Sequence, residues 1–290
     1  MRYKAYGKVN LGLDVVRKRE DGYHEVRMIM QTVGIYDRLE VEITEEPGIT
    51  IETNLSYLPC DENNLIYKAA KLLMDEFEIE KGIHVELSKH IPVAAGMAGG
   101  STDAAAIMVA VNQMFGLSLS QSELMERGVR IGADVPYCIM RGTALSEGIG
   151  EILTPIAPMP ECSIVVAKPS ISVSTKYVYE NLKANELKHH PDIDGMKRAI
   201  EEGNLEKIAG LMENVLETVT EKKYPVITQI KDFLKERGAL NAMMSGSGPT
   251  VFGIFADEDT AGRAYEELKV CGLARQVFLT GVKNSGKHIF

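Results

Sequence analysis

Hydrophobic and polar positions alternate through much of the first third of the chain. In RLEVEIT (residues 38–44), Leu39, Val41 and Ile43 share one face, the period-two signature of a half-buried strand. The pattern predicts strands over residues 3–16, 25–35, 38–44, 49–53 and 83–89. Between the last two, Leu65, Ala69, Leu72 and Leu73 recur at helical spacing and predict an amphipathic helix over 64–77. The apolar run AAAIMVAV predicts a helix that opens at a Gly-rich stretch and runs to about Phe115, with Gly116 as its C-cap. Ser120 and Glu123 have the spacing of a capping box, so another helix begins there and stops near Gly132.

The second half changes character. A strand over 162–168 precedes helical stretches near 175–187, 204–216 and 226–237. A strand over 240–244, the break SGSGP, a strand over 250–255, a helix over 260–271 and a strand over 276–282 complete the chain. Strand, helix, paired strands, helix and strand is the order of a split βαβ, ferredoxin-like unit. The expected fold class is α+β with two domains, residues 1–153 and 154–290, divided at the Pro-rich TPIAPMPE, and a ligand cleft between them.

The stretch PVAAGMAGGSTDAAA (residues 92–106) bears most on chemistry. Gly96, Gly99 and Gly100 let a backbone turn sharply and approach a ligand closely. The helix that follows offers unpaired N–H groups and the positive end of its dipole, together an anion site. Read as a bare pattern, a Gly-rich stretch before a helix is equally a tight turn. It is not a Walker A loop, because no Gly-Lys-Ser/Thr follows the glycines. The one Gly-x-x-x-x-Gly-Lys match, Gly281 to Lys287, continues into His288 and is read as chance.

Composition narrows the classes. The 290 residues, 45% hydrophobic and 25% charged, suit a globular chain with ample core. A net charge of −9 argues against a nucleic-acid surface but not against a nucleotide held by local dipoles and magnesium. The opening MRYKAYGKVN lacks the apolar core of a signal peptide, and no apolar run reaches membrane-spanning length. Four scattered cysteines, without a Cys-x-x-Cys pair, fit a reducing cytoplasm. HHPDID (residues 189–194) matches no zinc spacing and is read as a solvated loop, and no metal site is expected in the protein.

Three segments fall in a telling order: GKVNLGL with Lys8 and Asn10, the loop at 92–106, and SGSGPTVFGIF at 245–255. This arrangement resembles the GHMP kinases, over nearly the whole length and most weakly over 187–226. RKREDGYHE (17–25) and GADVPYCIMRGTALSEGIGE (132–151) narrow the resemblance to members acting on a cytidine diphosphate sugar alcohol. It implies ATP as phosphoryl donor with Mg2+, an acceptor hydroxyl in the interdomain cleft, and a monomer or homodimer without nucleic-acid or membrane partners. The alternatives are another small-molecule kinase of the family, such as a homoserine kinase, and a catalytically silent nucleotide sensor on the same fold.

The resemblance makes Lys8 and Asp134 the catalytic pair. A carboxylate at 134 takes the proton of an attacking hydroxyl, and Lys8 keeps it ionised. Taken alone, an aspartate beside Gly and Pro reads as a turn or helix-end residue, and Lys8 as a solvated strand lysine. Asn64, Pro92, Gly96, Met97, Ala98, Gly99, Gly100, Ser101 and Thr102 are the expected ATP contacts, with Asp103 given a capping or phosphate-neighbourhood role. Asn10, Tyr23, His24, Thr175, Tyr179 and Gly246 are the expected acceptor contacts, the aromatic side chains holding the cytosine ring.

Overall fold

β1 (Arg2–Lys18) and β2 (His24–Thr44) pair antiparallel along almost their full length, from Arg2 opposite Glu40 to Lys18 opposite His24. The sequence predicts a break at Tyr36-Asp37, but β2 runs through it. Asp37 is tolerated there because its Oδ1 accepts from the N–H groups of His90 and Ile91 and its Oδ2 from Lys89 Nζ. The computed structural model describes residues 1–284, so Lys287 and His288 of the rejected P-loop match lie outside the described residues.

β3 (Ile49–Thr53) and β4 (Gly82–Ser88) are parallel, joined across α1 (Leu65–Glu76). α2 (Gly99–Met114), α3 (Gln121–Gly128) and α4 (Val135–Met140) follow, and the Ser120–Glu123 capping box is present. The helix predicted to stop near Gly132 stops at Gly128, and Pro136 sits in the first turn of α4, where a missing N–H costs no hydrogen bond. β5 (Thr143–Glu147) and β6 (Ile152–Pro155) complete a sheet ordered β3-β4-β2-β5-β6, with β1 also on β2. The boundary expected at 153/154 falls inside β6, an edge strand in which Pro155 is tolerated.

β7 (Ser163–Lys168) opens the second sheet, followed by α5 (Thr175–Asn181) and a 3-10 turn (Ala184–Glu186). α6 (Ile193–Glu201), α7 (Leu205–Gly210), α8 (Glu217–Lys223) and α9 (Val226–Glu236) precede β8 (Asn241–Met244) and β9 (Val251–Phe255). α10 (Glu258–Val270) and β10 (Gln276–Gly281) end the described chain. The antiparallel order β10-β7-β9-β8 is the ferredoxin-like arrangement expected.

HHPDID is a loop only as far as Asp192, where α6 begins, and its exposed polar side chains are partnered. His190 Nδ1 bonds the Asp14 carboxylate at 2.8 Å, Asp192 caps α6, and Arg27 grips Asp194 at 2.7 and 2.8 Å. These polar residues fasten the second half to β1 and β2. An apolar layer completes the junction, with Val9, Leu11, Ile29 and Val33 packed with Ile164, Val166, Phe252 and Ile254. Burial of each such side chain contributes about 1.5–3 kcal/mol. No helix among the described residues is long and apolar enough to cross a membrane.

Candidate active site

Two irregularities in β1 decide where its polar side chains point. Tyr3 and Ala5 face the core that contains α2 and α4, Val9 and Leu11 face the layer between the sheets, and Leu13 and Val15 return to the first core. The parity inverts at the register shifts between Tyr6 and Lys8 and between Asn10 and Gly12. A one-residue slip flips a strand's faces, so the paired slips turn Lys8 and Asn10 toward the α2 side. There they line a cavity of about 800 Å3.

Lys8 is 5% exposed, so it is not a solvated strand lysine. Its Nζ donates to Asn10 Oδ1 at 2.9 Å and lies 3.9 Å from Asp134 Oδ2. Asn10 Nδ2 turns to Met28 Sδ at 3.1 Å. Asp134 occupies the N-cap position of α4, yet its carboxylate caps nothing and remains one-third exposed to the cavity. The helix-end role is therefore not the one its side chain performs.

On the next wall, Gly96 has φ +76°, and a Cβ there would stand 2.1 Å from the Ser245 carbonyl oxygen. The Gly-rich loop and the β8–β9 turn thus meet backbone to backbone, joined by Ser245 Oγ donating to Gly96 O at 2.9 Å. Ala98 precedes α2 in the left-handed region and offers no side-chain cap, which leaves the helix's first N–H groups to the cavity. Ala98, Gly99, Gly100 and Ser101 line it. Asn64 does not: it caps α1, accepting from Ile66 N–H at 2.9 Å and donating to Pro59 O at 2.7 Å. Pro92, Met97 and Thr102 are buried behind the wall, where the Met97 carbonyl accepts from Lys8 N–H at 3.2 Å.

At the far end, the His24 and Tyr179 rings lie 5.1 Å apart at 44°, with Tyr23 at the rim, 60% exposed. Burial and the nearby Asp134 charge push the Tyr179 phenol up to about 12, so it stays neutral. Burial, then Lys18, hold the His24 imidazole below its usual range. His24 Nε2 is buried without a partner among the described residues. Thr175 bonds Ser247 at 2.8 Å, and both line the cavity with Gly246.

Residues 64–142 match the family model of the GHMP kinases N terminal domain, and residues 196–271 that of the GHMP kinases C terminal domain. The 4-diphosphocytidyl-2-C-methyl-D-erythritol kinase of Lachnoclostridium phytofermentans is 56% identical over 96% of this chain and 95% of its own. The enzyme of that name from Lachnospira eligens is 55% identical over 97% of each. This chain belongs to the GHMP kinase family. A crystal structure titled 4-(cytidine 5'-diphospho)-2C-methyl-D-erythritol kinase superposes with TM-score 0.85 at 30% identity, covering 99% of this chain and 100% of that one. The homoserine kinase of Cytophaga hutchinsonii, at TM-score 0.76 and 18% identity over 98% and 95%, shares the fold.

Sequence reasoning missed what supports the GHMP helix. Lys89 Nζ bonds Asp37 at 2.5 Å and Asp103 at 2.8 Å, all three side chains being nearly or wholly buried. Asp103 therefore neither caps α2 nor faces phosphate. Burial and the Asp37 charge hold its carboxyl well above the usual carboxylate range against the pull of Lys89. Burial alone would lower the Lys89 ammonium, but Asp103 and Asp37 raise it. Among the described residues no group of three His, Cys, Asp or Glu side chains forms a metal cage. With Asp103 committed to Lys89, Asp134 is the predicted site carboxylate left on the cavity.

Proposed function

We propose that this protein transfers the γ-phosphoryl group of ATP to the 2-hydroxyl of 4-diphosphocytidyl-2-C-methyl-D-erythritol. One observation carries the reading: a single cavity is lined by the uncapped N-terminus of α2, the Lys8–Asp134 pair and the His24–Tyr179 rings. The family membership and the names of the relatives at 55–56% identity support the same acceptor.

The α2 N-terminus and the N–H groups of Gly99, Gly100 and Ser101 hold the phosphates of MgATP, with Gly96 allowing the close approach of the loop. Pro92, Met97 and Thr102 shape this wall from behind, while Asn64 serves α1 as its cap. The acceptor hydroxyl oxygen attacks the γ-phosphorus as the bond to the β–γ bridging oxygen breaks, and ADP leaves. The hydroxyl proton passes to the Asp134 carboxylate. Lys8, fixed by Asn10 and 3.9 Å from the Asp134 carboxylate, offsets charge on the moving phosphoryl group. Tyr23, His24 and Tyr179 take the cytosine, and Thr175 and Gly246 the diphosphate side.

A coupled assay of ADP release tests the reading with the cytidine compound, homoserine and mevalonate at equal concentration. The expected result is turnover with the cytidine compound and little above background with the others. Preference for homoserine leaves only the family assignment standing.

A further inference from the structure

The irregular segment between α7 and α8 carries a side-chain amide engaged at both ends. Asn214 is 2% exposed. Its Nδ2 donates to the carbonyl oxygens of Met244 at 2.9 Å and Gly246 at 2.8 Å, and its Oδ1 accepts from Leu216 N–H at 3.0 Å. The backbone on either side is anchored to β1, with Leu13 N–H donating to Glu213 O at 2.9 Å and Val215 N–H to Leu13 O at 3.1 Å. Three residues on, Glu217 Oε1 accepts from Met244 N–H at 2.7 Å while Lys231 Nζ holds Oε2 at 2.7 Å. Both side chains therefore grip the end of β8 where the Gly-Ser-Gly turn begins.

The turn spends two N–H groups on itself: Ser245 N–H donates to Thr250 O and Gly248 N–H to Ser245 O, each at 2.9 Å. Among the described residues, no acceptor within the protein takes the N–H groups of Gly246 and Ser247, and both residues line the cavity. Gly246 is left-handed, φ +56°, so these successive N–H groups suit an anion-binding nest. A Cβ on Gly246 would stand 3.4 Å from the Gly96 backbone and 3.6 Å from Asn10 Oδ1. Ser247 Oγ lies 2.8 Å from Thr175. The turn thus sits between the ATP loop and the acceptor's side of the cleft.

We propose that Asn214 and Glu217 are positioning residues that aim the Gly246 and Ser247 N–H groups at the diphosphate of the acceptor. The proposal rests on the acceptor assigned above. Neither side chain touches substrate; each acts through the turn. Asn214→Asp keeps the shape but removes the amide donor to the Met244 and Gly246 carbonyls, and Glu217→Leu removes the acceptor of Met244 N–H. Glu217→Gln retains that acceptor, so it is the conservative rescue.

Steady-state kinetics with each substrate varied test this. Asn214→Asp and Glu217→Leu are expected to raise the acceptor KM about tenfold or more, within the roughly hundredfold that a 1 Å misplacement costs. The MgATP KM should change less than about threefold, and Glu217→Gln should stay near wild type. Asn112→Asp is the control for lost folding stability, since Asn112 clamps Leu119 with two bonds of 2.9 Å outside the cavity. It should lower Tm without raising the acceptor KM. Equal rises in both KM values, or an unaltered acceptor KM in folded variants, overturn the proposal. If Asn214→Asp does not fold, the contrast between Glu217→Leu and Glu217→Gln decides alone. A wild type inert toward the cytidine compound overturns the acceptor assignment and this proposal with it; an active wild type beside unaltered variants overturns this proposal alone.

Discussion

Asp134 holds a helix's N-cap position without using its side chain to cap, which leaves a carboxylate 3.9 Å from a buried ammonium and open to the cleft. If that carboxylate receives the acceptor's proton, Asp134→Asn lowers turnover by about 10²–10⁴, the range of general acid–base catalysis. ATP affinity and Tm should be nearly unchanged, as nucleotide titration and thermal melting would read. Lys8→Ala should be similarly damaging and the double variant little worse, because the pair acts as a unit. Losses that add on a logarithmic scale would make the two independent. At the other end, Tyr179 stays neutral, so its ring is what the account uses. Tyr179→Phe should be mild, and Tyr179→Ala should cost the acceptor about 1–3 kcal/mol of stacking while leaving ATP binding unaltered. Equal effects on both substrates would contradict a dedicated base-holding role.

Among the elements, α2 depends on what lies under its first turn. A Cβ on Gly99 would stand 3.0 Å from Lys89 Nζ, and one on Gly100 3.3 Å from Leu65. Neither glycine has positive φ; Ala94, Gly96 and Ala98 carry the left-handed turns instead. Gly99→Val should weaken ATP binding by pushing the helix off Lys89, and unchanged affinity by titration would make the loop a structural turn. Lys89→Met strands the buried Asp37 carboxylate and should destabilise by about 3–5 kcal/mol in denaturant unfolding. Asp103→Asn keeps the Lys89–Asp37 pair. Because the folded carboxyl at 103 is raised, its stabilising contribution is present at low pH and lost as pH rises through its folded value. The Asp103→Asn variant should therefore gain stability relative to wild type as pH rises; a constant or falling difference would contradict this.

These elements were unequally legible. β3 and the capping box could be read because alternation and cap chemistry are local signals. The continuity of β2 could not, because Asp37 reads as a turn residue until Lys89, His90 and Ile91 arrive from β4 and beyond. α6 carried a signal that went unread: Asp192 as cap, then Ile193, Met196, Ala199 and Ile200 at helical spacing and buried. The polar run before it drew the reading toward loop. Lys8 and Asp134 came from family resemblance, since only the two slips in β1 turn Lys8 to the cleft. Asn214 lay in the stretch of weakest resemblance, and its value rests on two carbonyls some thirty residues away.

At the scale of the molecule, the two sheets share one apolar layer, and the cavity opens where β1, the α2 N-terminus, α5 and the β8–β9 turn converge. If the aromatic end takes the cytidine as proposed, binding energy from that end places the hydroxyl before the γ-phosphorus. The central claim is that the remote base is read by the aromatic end and converted into rate. Its most direct test is kcat/KM of the wild-type protein for 4-diphosphocytidyl-2-C-methyl-D-erythritol against methylerythritol phosphate, which lacks the cytidine. The account predicts that the truncated compound is a very poor substrate, and equally poor for Tyr179→Ala. Efficient phosphorylation of the truncated compound by the wild type would contradict it.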